Sequence, residues 1–591
     1  MSSTKRSSIV SESALTVGDV VRRLMPYGTQ PTPERQPWRK CPEWAADVFA
    51  ATAGVVHASS CYTEPGVALS RNDSERQAKL ERATLHKKTG KDWANSVEVP
   101  RLVRRHWATL YGAFDQPIDD TSPRSVAWKL AALALVAISD EAFAGAGFFP
   151  DADDGIANFV WFELLADRKK GGATLLELPW SMTVLVPSEI ACVLPKSLTP
   201  NVGCTLRSLT HHLAFLPGKA IVAPGWLINP GGHEIGRLLR QERKRGRQAS
   251  ADDAPDGVFN VLLVPFPYVI HATDFKVSRP AIDESDGYFT LTQDWLREGR
   301  RRVPINAMVN FIGELIENAE QDAGPIHAII LPEAALDKAM SRGIVERLAV
   351  RFRHLELIIT GMIAGPPASQ RNFAAQYRLI DGEIVSTVEQ SKHHRWRLEE
   401  SQIRQYQLGG VLDPNHIWWE HIDVHNRKIG FSVNRHDAII AALVCEDLAR
   451  YDPVLPTVAA VGPTLVVALL LDGPQLPNRW PGRYATVLAE DPGSSVLTLT
   501  SLGMIERSTM PGTESRAVVG LWKERHGAAK ELVLPRAHHG LVLSLNCCHK
   551  KQVTLDHRVD KDPTLEYRLG ATRAVRLKNI PAWLERRVGS A

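Results

Sequence analysis

From residue 259 to residue 388 the chain alternates short, unbroken apolar runs with a segment of helical periodicity, and few folds accept that pattern. Phe259–Phe266 (FNVLLVPF) is a continuous apolar run of the β type, as expected of a strand buried on both faces. Met308, Phe311, Ile312, Leu315, Ile316 and Ala319 mark one face of a helix that stops near Gly324-Pro325. Ala328–Leu331 is the next short buried strand and ends in Pro332-Glu333; Leu355–Thr360 is another. Ala374–Ile380 and Ile384–Val388 flank Asp381-Gly382 as a hairpin. The alternation predicts an α/β domain.

The chain has 591 residues, more than one compact domain of ~100–200 residues needs. The boundary signal lies at Arg237–Gly257, where a basic run (Arg237, Arg240, Arg243, Lys244, Arg245, Arg247) gives way to a small, polar, turn-rich stretch. This predicts a mainly helical domain over 1–250, a linker over 251–257, an α/β domain over 258–557 and a C-terminal extension over 558–591. Upstream, Val126–Ile138 and Gly155–Leu165 read as short apolar helices, and Leu206, Leu209, Leu213 and Leu216 repeat at helical spacing. Eight of the fifteen tryptophans precede residue 257, which argues that this half has a core of its own.

Composition excludes more than it selects. Hydrophobic residues at 44% and charged residues at 23% are globular values, against a disordered or collagen-like chain. Seventy basic against 66 acidic residues is too even a balance to diagnose a nucleic-acid binder. Seven cysteines, odd in number and without a Cys-x-x-Cys pair, suit reduced thiols in a cytoplasmic protein rather than a disulfide framework. Met1–Val17 has no apolar core and does not read as a signal peptide. The apolar stretches Leu130–Ile138 and Thr457–Leu471 are too short, or broken by Gly462-Pro463, for a membrane span.

Three segments each place a reactive residue at the end of an apolar run: Ala328-Ile-Ile-Leu-Pro-Glu333, Ser391-Lys392-His393-His394, and Ile439-Ile-Ala-Ala-Leu-Val-Cys445-Glu446. A thiol at a strand end is placed for nucleophilic attack, and the next backbone N–H can serve as an oxyanion donor. With an ordinary pKa of about 8.5 it needs a nearby base or cation. Glu333 can take its proton and Lys392 can balance the developing charge.

In order and context these three residues resemble the Glu–Lys–Cys triad of the nitrilase, or carbon–nitrogen hydrolase, superfamily, over roughly residues 258–557. Asn372 matches an asparagine often found before the family's hairpin, and Glu400 the second glutamate of many of its amidases. Trp480, Glu490 and Gly503 fall where the family has a tryptophan, a helix glutamate and a closing turn. The resemblance implies a four-layer α-β-β-α sandwich assembled as homo-oligomers, with no metal or organic cofactor. It also implies amide hydrolysis through a thioester on Cys445, with Glu333 as general base, Lys392 and the Glu446 N–H at the oxyanion, and Glu400 positioning Lys392 or the substrate. Cys445-Glu446-Asp447 is similar to the glutaminase domains of NAD synthetases, which favours a small-molecule or peptide amide over a nitrile. The long stretch from Lys392 to Cys445, with Trp396, Trp418, Trp419, His416, His421 and His425, reads as an insertion around the pocket.

Other features carry less. The pairs His211-His212, His393-His394 and His538-His539 suggest metal ligation, but adjacent residues on a strand face opposite ways, so no metal site is expected. His393 and His394 are expected to line the pocket instead. No phosphate-loop or dinucleotide fingerprint occurs. Cys192–Pro217 resembles the spacer before nitrilase-like domains of bacterial antiphage systems, which implies a nucleic-acid enzyme, a reverse transcriptase, as partner. In that setting the domain is a nitrilase-fold oligomeric interaction or regulatory module in which hydrolysis is dispensable.

Overall fold

The computed structural model describes residues 14–30, 35–63, 70–96, 98–144, 183–200, 205–218, 222–223, 257–282, 286–435, 438–509, 516–559, 564–581 and 583–584. The helix expected at Gly155–Leu165 and the linker expected at 251–257 lie outside these residues, apart from Gly257. No helix among the described residues is long and apolar enough to cross a membrane.

The chain forms two compact units, and they divide it differently from the single cut expected near residue 250. The first comprises Met1–Pro195, Asn201–Ala220 and Val553–Val559; the second comprises Lys196–Pro200, Ile221–Gln552 and Asp560–Ala591.

The first unit contains helices α1 (Val17–Leu24), α2 (Ala45–Ser59), α3 (Asp73–Ala94), α4 (Arg101–Tyr111) and α5 (Ser125–Glu141), and a hairpin of β1 (Ala191–Pro195) and β2 (Leu213–Pro217). Thr16 and Asp19 open α1 with a reciprocal cap, each side chain accepting the other's backbone N–H. Val126–Ile138 lies in α5, which packs with α2, α3 and α4. Gly90 lets α3 cross the end of α5 closely, since a Cβ there would stand 2.5 Å from Glu141 Cβ. The leucine repeat does not form one helix: Leu206–Leu209 is a short 3-10 turn, and Leu213 and Leu216 lie in β2, paired with Pro195 and Cys192 of β1. Helical spacing failed there because cross-strand pairing overrode a weak local signal.

In the second unit the elements run β3 (Val222–Ala223), β4 (Val258–Leu263), β5 (Phe275–Arg279), β6 (Gly287–Leu291), α6 (Ile305–Ala323), β7 (Ala328–Ile330), α7 (Lys338–Arg351), β8 (Leu357–Ala364), β9 (Arg371–Ile380), β10 (Glu383–Ser391), α8 (Glu400–Gln405) and β11 (Trp418–Glu420). They continue with β12 (Ile429–Asn434), β13 (Ala438–Val444), α9 (Val454–Val461), β14 (Leu465–Leu470), α10 (Trp480–Glu490), β15 (Ser495–Thr500), α11 (Leu502–Arg507), β16 (Val518–Lys523), β17 (Lys530–Val533), β18 (Gly540–Lys550) and β19 (Thr564–Val575).

One large sheet has the order β10-β9-β8-β7-β4-β18-β19, and the other β17-β16-β15-β14-β13-β12-β3. The central strands β7, β13 and β14 are buried along their whole length, as their unbroken apolar sequence requires. The sheets meet through β9 with β13 and β10 with β12. Helix α6 lies against β4, β18 and β19, α7 against β8 and β10, and α10 against β15 and β16. The β9–β10 hairpin turns at Asp381 (φ 50°) and Gly382 (φ 90°), the two left-handed residues that a two-residue turn needs. A smaller sheet orders Arg397–Leu398, β11, β6 and β5. The expected C-terminal extension is instead part of the first large sheet, because β19 pairs with β18 over Gly540–Lys550.

Candidate active site

Glu333 sits just past β7 in a tight turn whose next residue, Ala334, has φ 57°. The turn rides directly over β8: a Cβ on Gly361 would lie 2.4 Å from Glu333 Cα and 2.5 Å from the Pro332 carbonyl oxygen. Glycine is required here for close approach of two backbones. Lys392 follows β10, and its backbone N–H donates to the Asn372 carbonyl at 2.8 Å, continuing the ladder with β9.

The two side chains meet in a buried cluster. Lys392 Nζ donates to Glu333 Oε1 at 2.8 Å and to Glu420 Oε2 at 2.7 Å. All three residues are at most 1% exposed. Asn372 Nδ2 bridges the same carboxylates, donating to Glu333 Oε1 at 2.7 Å and Glu420 Oε1 at 2.9 Å. Glu420 ends β11 and also accepts the Trp396 N–H at 3.2 Å. Glu333 Oε2 is buried and has no hydrogen-bond partner among the described residues, so one carboxylate oxygen is left for a proton.

Cys445 begins the turn after β13. It is 3% exposed and holds φ 46°, in the left-handed region that non-glycine residues rarely adopt. Such backbone costs ~1–3 kcal/mol and persists where the surroundings over-determine it. Burial pushes the Cys445 thiol well above its ordinary pKa; Glu333 adds to that rise and Lys392 opposes it. Burial likewise raises the Glu333 carboxyl, against the pull of Lys392 and with the help of Glu420. For Lys392, burial works to lower the pKa, but Glu333, Glu420 and Cys445 outweigh it and hold the ammonium well above its usual range. At neutral pH the cluster therefore holds a neutral thiol, a cationic lysine and a carboxylate made unusually basic for its type.

Glu400, expected to position Lys392, does not reach it. It opens α8 with its side chain 61% exposed and pairs with Arg404 at 2.7 Å. Glu420 holds Lys392 instead, because the parallel pairing of β11 with β6 carries residue 420 back over the hairpin. Glu446 is only partly buried and pairs with Arg450. His393 and His394 are organised by Asp447, a residue the sequence reading passed over. Buried Asp447 accepts the His393 N–H at 3.0 Å and the His394 N–H at 3.2 Å, and lies 3.0 Å from His394 Nδ1. The turn after Lys392 is thereby tied to the turn of Cys445.

Asp472, just past β14, was also missed; it is buried, accepts from Tyr406 and Arg479, and contributes to the rise of the Cys445 pKa. Of the proposed insertion, Trp396 and Trp418 are core residues, Trp396 standing edge-on to Phe289 and Tyr406. Trp480 and Glu490 lie at the two ends of α10, and Gly503 lies in the first turn of α11, the short helix between β15 and β16.

No family model matches the chain, and no curated protein sequence matches it. Among solved structures it is similar to Saccharomyces cerevisiae Nit3, a member of branch 10 of the nitrilase superfamily, at 11% identity over 57% of this chain and 95% of Nit3, with a TM-score of 0.27. It is also similar to XC1258 of Xanthomonas campestris, a CN-hydrolase superfamily protein, at 12% identity over 56% of this chain and 94% of that one, with a TM-score of 0.25. A third similar structure is the glutamine-dependent NAD(+) synthetase of Cytophaga hutchinsonii, at 11% identity and a TM-score of 0.24. The match spans 49% of this chain and 42% of the synthetase.

Proposed function

We propose that the second unit is a thiol-dependent carbon–nitrogen hydrolase acting on amides, of the nitrilase type. In this reading the large sheets are the inner layers of a four-layer α-β-β-α sandwich, with α6 and α7 outside one and α10 outside the other. The observation that supports the proposal is the buried Lys392–Glu333 ion pair, at 2.8 Å, together with the influence of both groups on the buried Cys445 thiol; the three come from separate strand ends.

The chemistry follows from the groups present. Cys445 Sγ attacks the amide carbon as its proton passes to the Glu333 carboxylate, forming the C–S bond and leaving the electron pair on oxygen. Lys392 Nζ and the Glu446 backbone N–H hold that oxyanion. Collapse breaks the C–N bond, and Glu333 returns the proton to the departing nitrogen. Glu333 then takes a proton from water, which attacks the thioester; the acid leaves and the thiol is restored. Glu420 and Asn372 keep Lys392 and Glu333 in register without touching substrate.

The experiment is intact-mass analysis of the protein incubated with cell extract and with simple amides. The expected result is an adduct on Cys445 that hydroxylamine removes, together with amide hydrolysis, both absent from Cys445→Ala. Equal activity in Cys445→Ala would remove the proposal.

A further inference from the structure

The expectation that adjacent histidines face opposite ways holds for a strand, and His211-His212 is not in one. Both residues lie in the bend between the Leu206–Leu209 turn and β2. Asp140, at the end of α5, fixes that bend by accepting three successive backbone N–H groups: His211 at 2.8 Å, His212 at 2.9 Å and Leu213 at 2.9 Å. Both rings are turned towards Glu141. His211 Nδ1 stands 3.4 Å from Glu141 Oε1, and His212 Nε2 stands 3.9 Å from Glu141 Oε2. One ligand atom from each of the three residues lies within 4.8 Å of the others.

These nitrogens are buried and unspent. His211 is 3% exposed; its Nδ1 faces the Glu141 carboxylate, and among the described residues neither its Nε2 nor His212 Nε2 has a hydrogen-bond partner. Buried imidazole without partners costs free energy that a ligand recovers. The 3.4 Å between His211 Nδ1 and Glu141 Oε1 is a zinc-ligand spacing, and His212 Nε2, 3.9 Å from Glu141 Oε2, lies roughly half an ångström outside it. Two donors each ~2.0–2.1 Å from zinc at a tetrahedral angle stand ~3.3–3.4 Å apart.

Charge agrees with spacing. Buried Asp140 and Glu141 share a single buried guanidinium, Arg558, at 3.0 and 2.9 Å, and Asp556 adds a carboxylate at 3.0 Å from the same cation. Three carboxylates thus share one guanidinium, an excess of negative charge that a bound cation would offset. Asp140 fixes the backbone that carries both imidazoles, and Arg558 holds the Glu141 carboxylate beside them.

We propose that Glu141, His211 and His212 bind one zinc ion in the first unit, with water as the fourth ligand. The site shares no residue with the Cys445 cluster, and Asp140 and Arg558 are positioning residues for it.

The test uses the full chain, stripped with chelator and titrated with zinc alone, with cobalt as a spectroscopic substitute. The expected result is one zinc per chain, retained by Cys445→Ala and weakened at least tenfold by His212→Gln. Stripped wild-type protein that stays folded by circular dichroism yet takes up no zinc at micromolar concentration would overturn the proposal. So would unchanged affinity in a folded His212→Gln. Should His212→Gln not fold, zinc-edge absorption of the wild-type protein decides. A shell of two imidazoles and oxygen supports the site, and sulfur at about 2.3 Å overturns it.

Discussion

Under the proposed mechanism, replacing Glu333 with glutamine should make Cys445 more reactive and amide hydrolysis slower, and this opposition of sign tests the whole cluster. Glutamine keeps an oxygen for Lys392 Nζ and Asn372 Nδ2, which now reach Glu333 Oε1 at 2.8 and 2.7 Å, so the packing is preserved. What is lost is a negative charge that raises the thiol pKa, while the opposing influence of Lys392 stays. A unit charge ~4–6 Å away at an effective dielectric constant near 20 acts with ~3–4 kcal/mol. The thiolate population at neutral pH therefore rises in Glu333→Gln, by about tenfold for each ~1.4 kcal/mol of that repulsion removed. The assay is the rate of iodoacetamide labelling of Cys445, read by peptide mass spectrometry in wild type and Glu333→Gln under the same conditions. Reagent access is common to both, so the ratio reports thiolate population. Amide hydrolysis in the same samples should fall ~10²–10⁴-fold, the usual contribution of a general base. Labelling that slows or does not change would refute the placement of Glu333 beside the thiol.

Three further outcomes follow from particular contacts. Glu420→Gln, which removes half the carboxylate clamp on Lys392, should lower hydrolysis strongly, whereas exposed Glu400→Gln should leave it unchanged; steady-state rates on one amide compare them. Gly361→Ala should displace the Glu333 turn: the added Cβ meets backbone at 2.4–2.7 Å, overpacking costs ~1–3 kcal/mol and a shift of ~1 Å costs ~10²-fold in rate, read by urea unfolding and turnover together. His327, whose Nδ1 accepts the Asn260 N–H at 3.0 Å, is held by burial at a pKa of about 3. The unfolded chain then binds more protons than the fold as pH falls from ~6.5, so stability drops by up to ~1.4 kcal/mol per pH unit until the folded pKa is reached. Urea unfolding at stepped pH should show this slope reduced in His327→Asn.

The α/β alternation of the second unit was legible because β4, β7 and β13 are apolar on both faces, which leaves few alternatives to a central strand. Glu333, Lys392 and Cys445 were legible for the same reason, each closing an apolar or hairpin run. Glu420 was not, although it carries the same signature as Glu333: an acid closing the apolar run Ile417-Trp418-Trp419. Counting from Lys392 favoured Glu400, and only the pairing of β11 with β6, about 130 residues apart in sequence, places residue 420 over the lysine. Gly361 could have been suspected as a lone glycine in an apolar strand. Asp447 and Asp140 had no local signal, since each serves backbone N–H groups supplied by a distant segment.

The passage of Val553–Val559 into the first unit bears on the order in which the protein is made. Arg558 Nη1 donates to the Ala137 carbonyl across 421 positions of sequence. At ~5–20 residues per second the ribosome needs roughly 20–80 s to supply that guanidinium after α5 has emerged. Until then Asp140 and Glu141 face burial without their cation, so the amino-terminal unit completes itself only after nearly the whole of its neighbour has been synthesised.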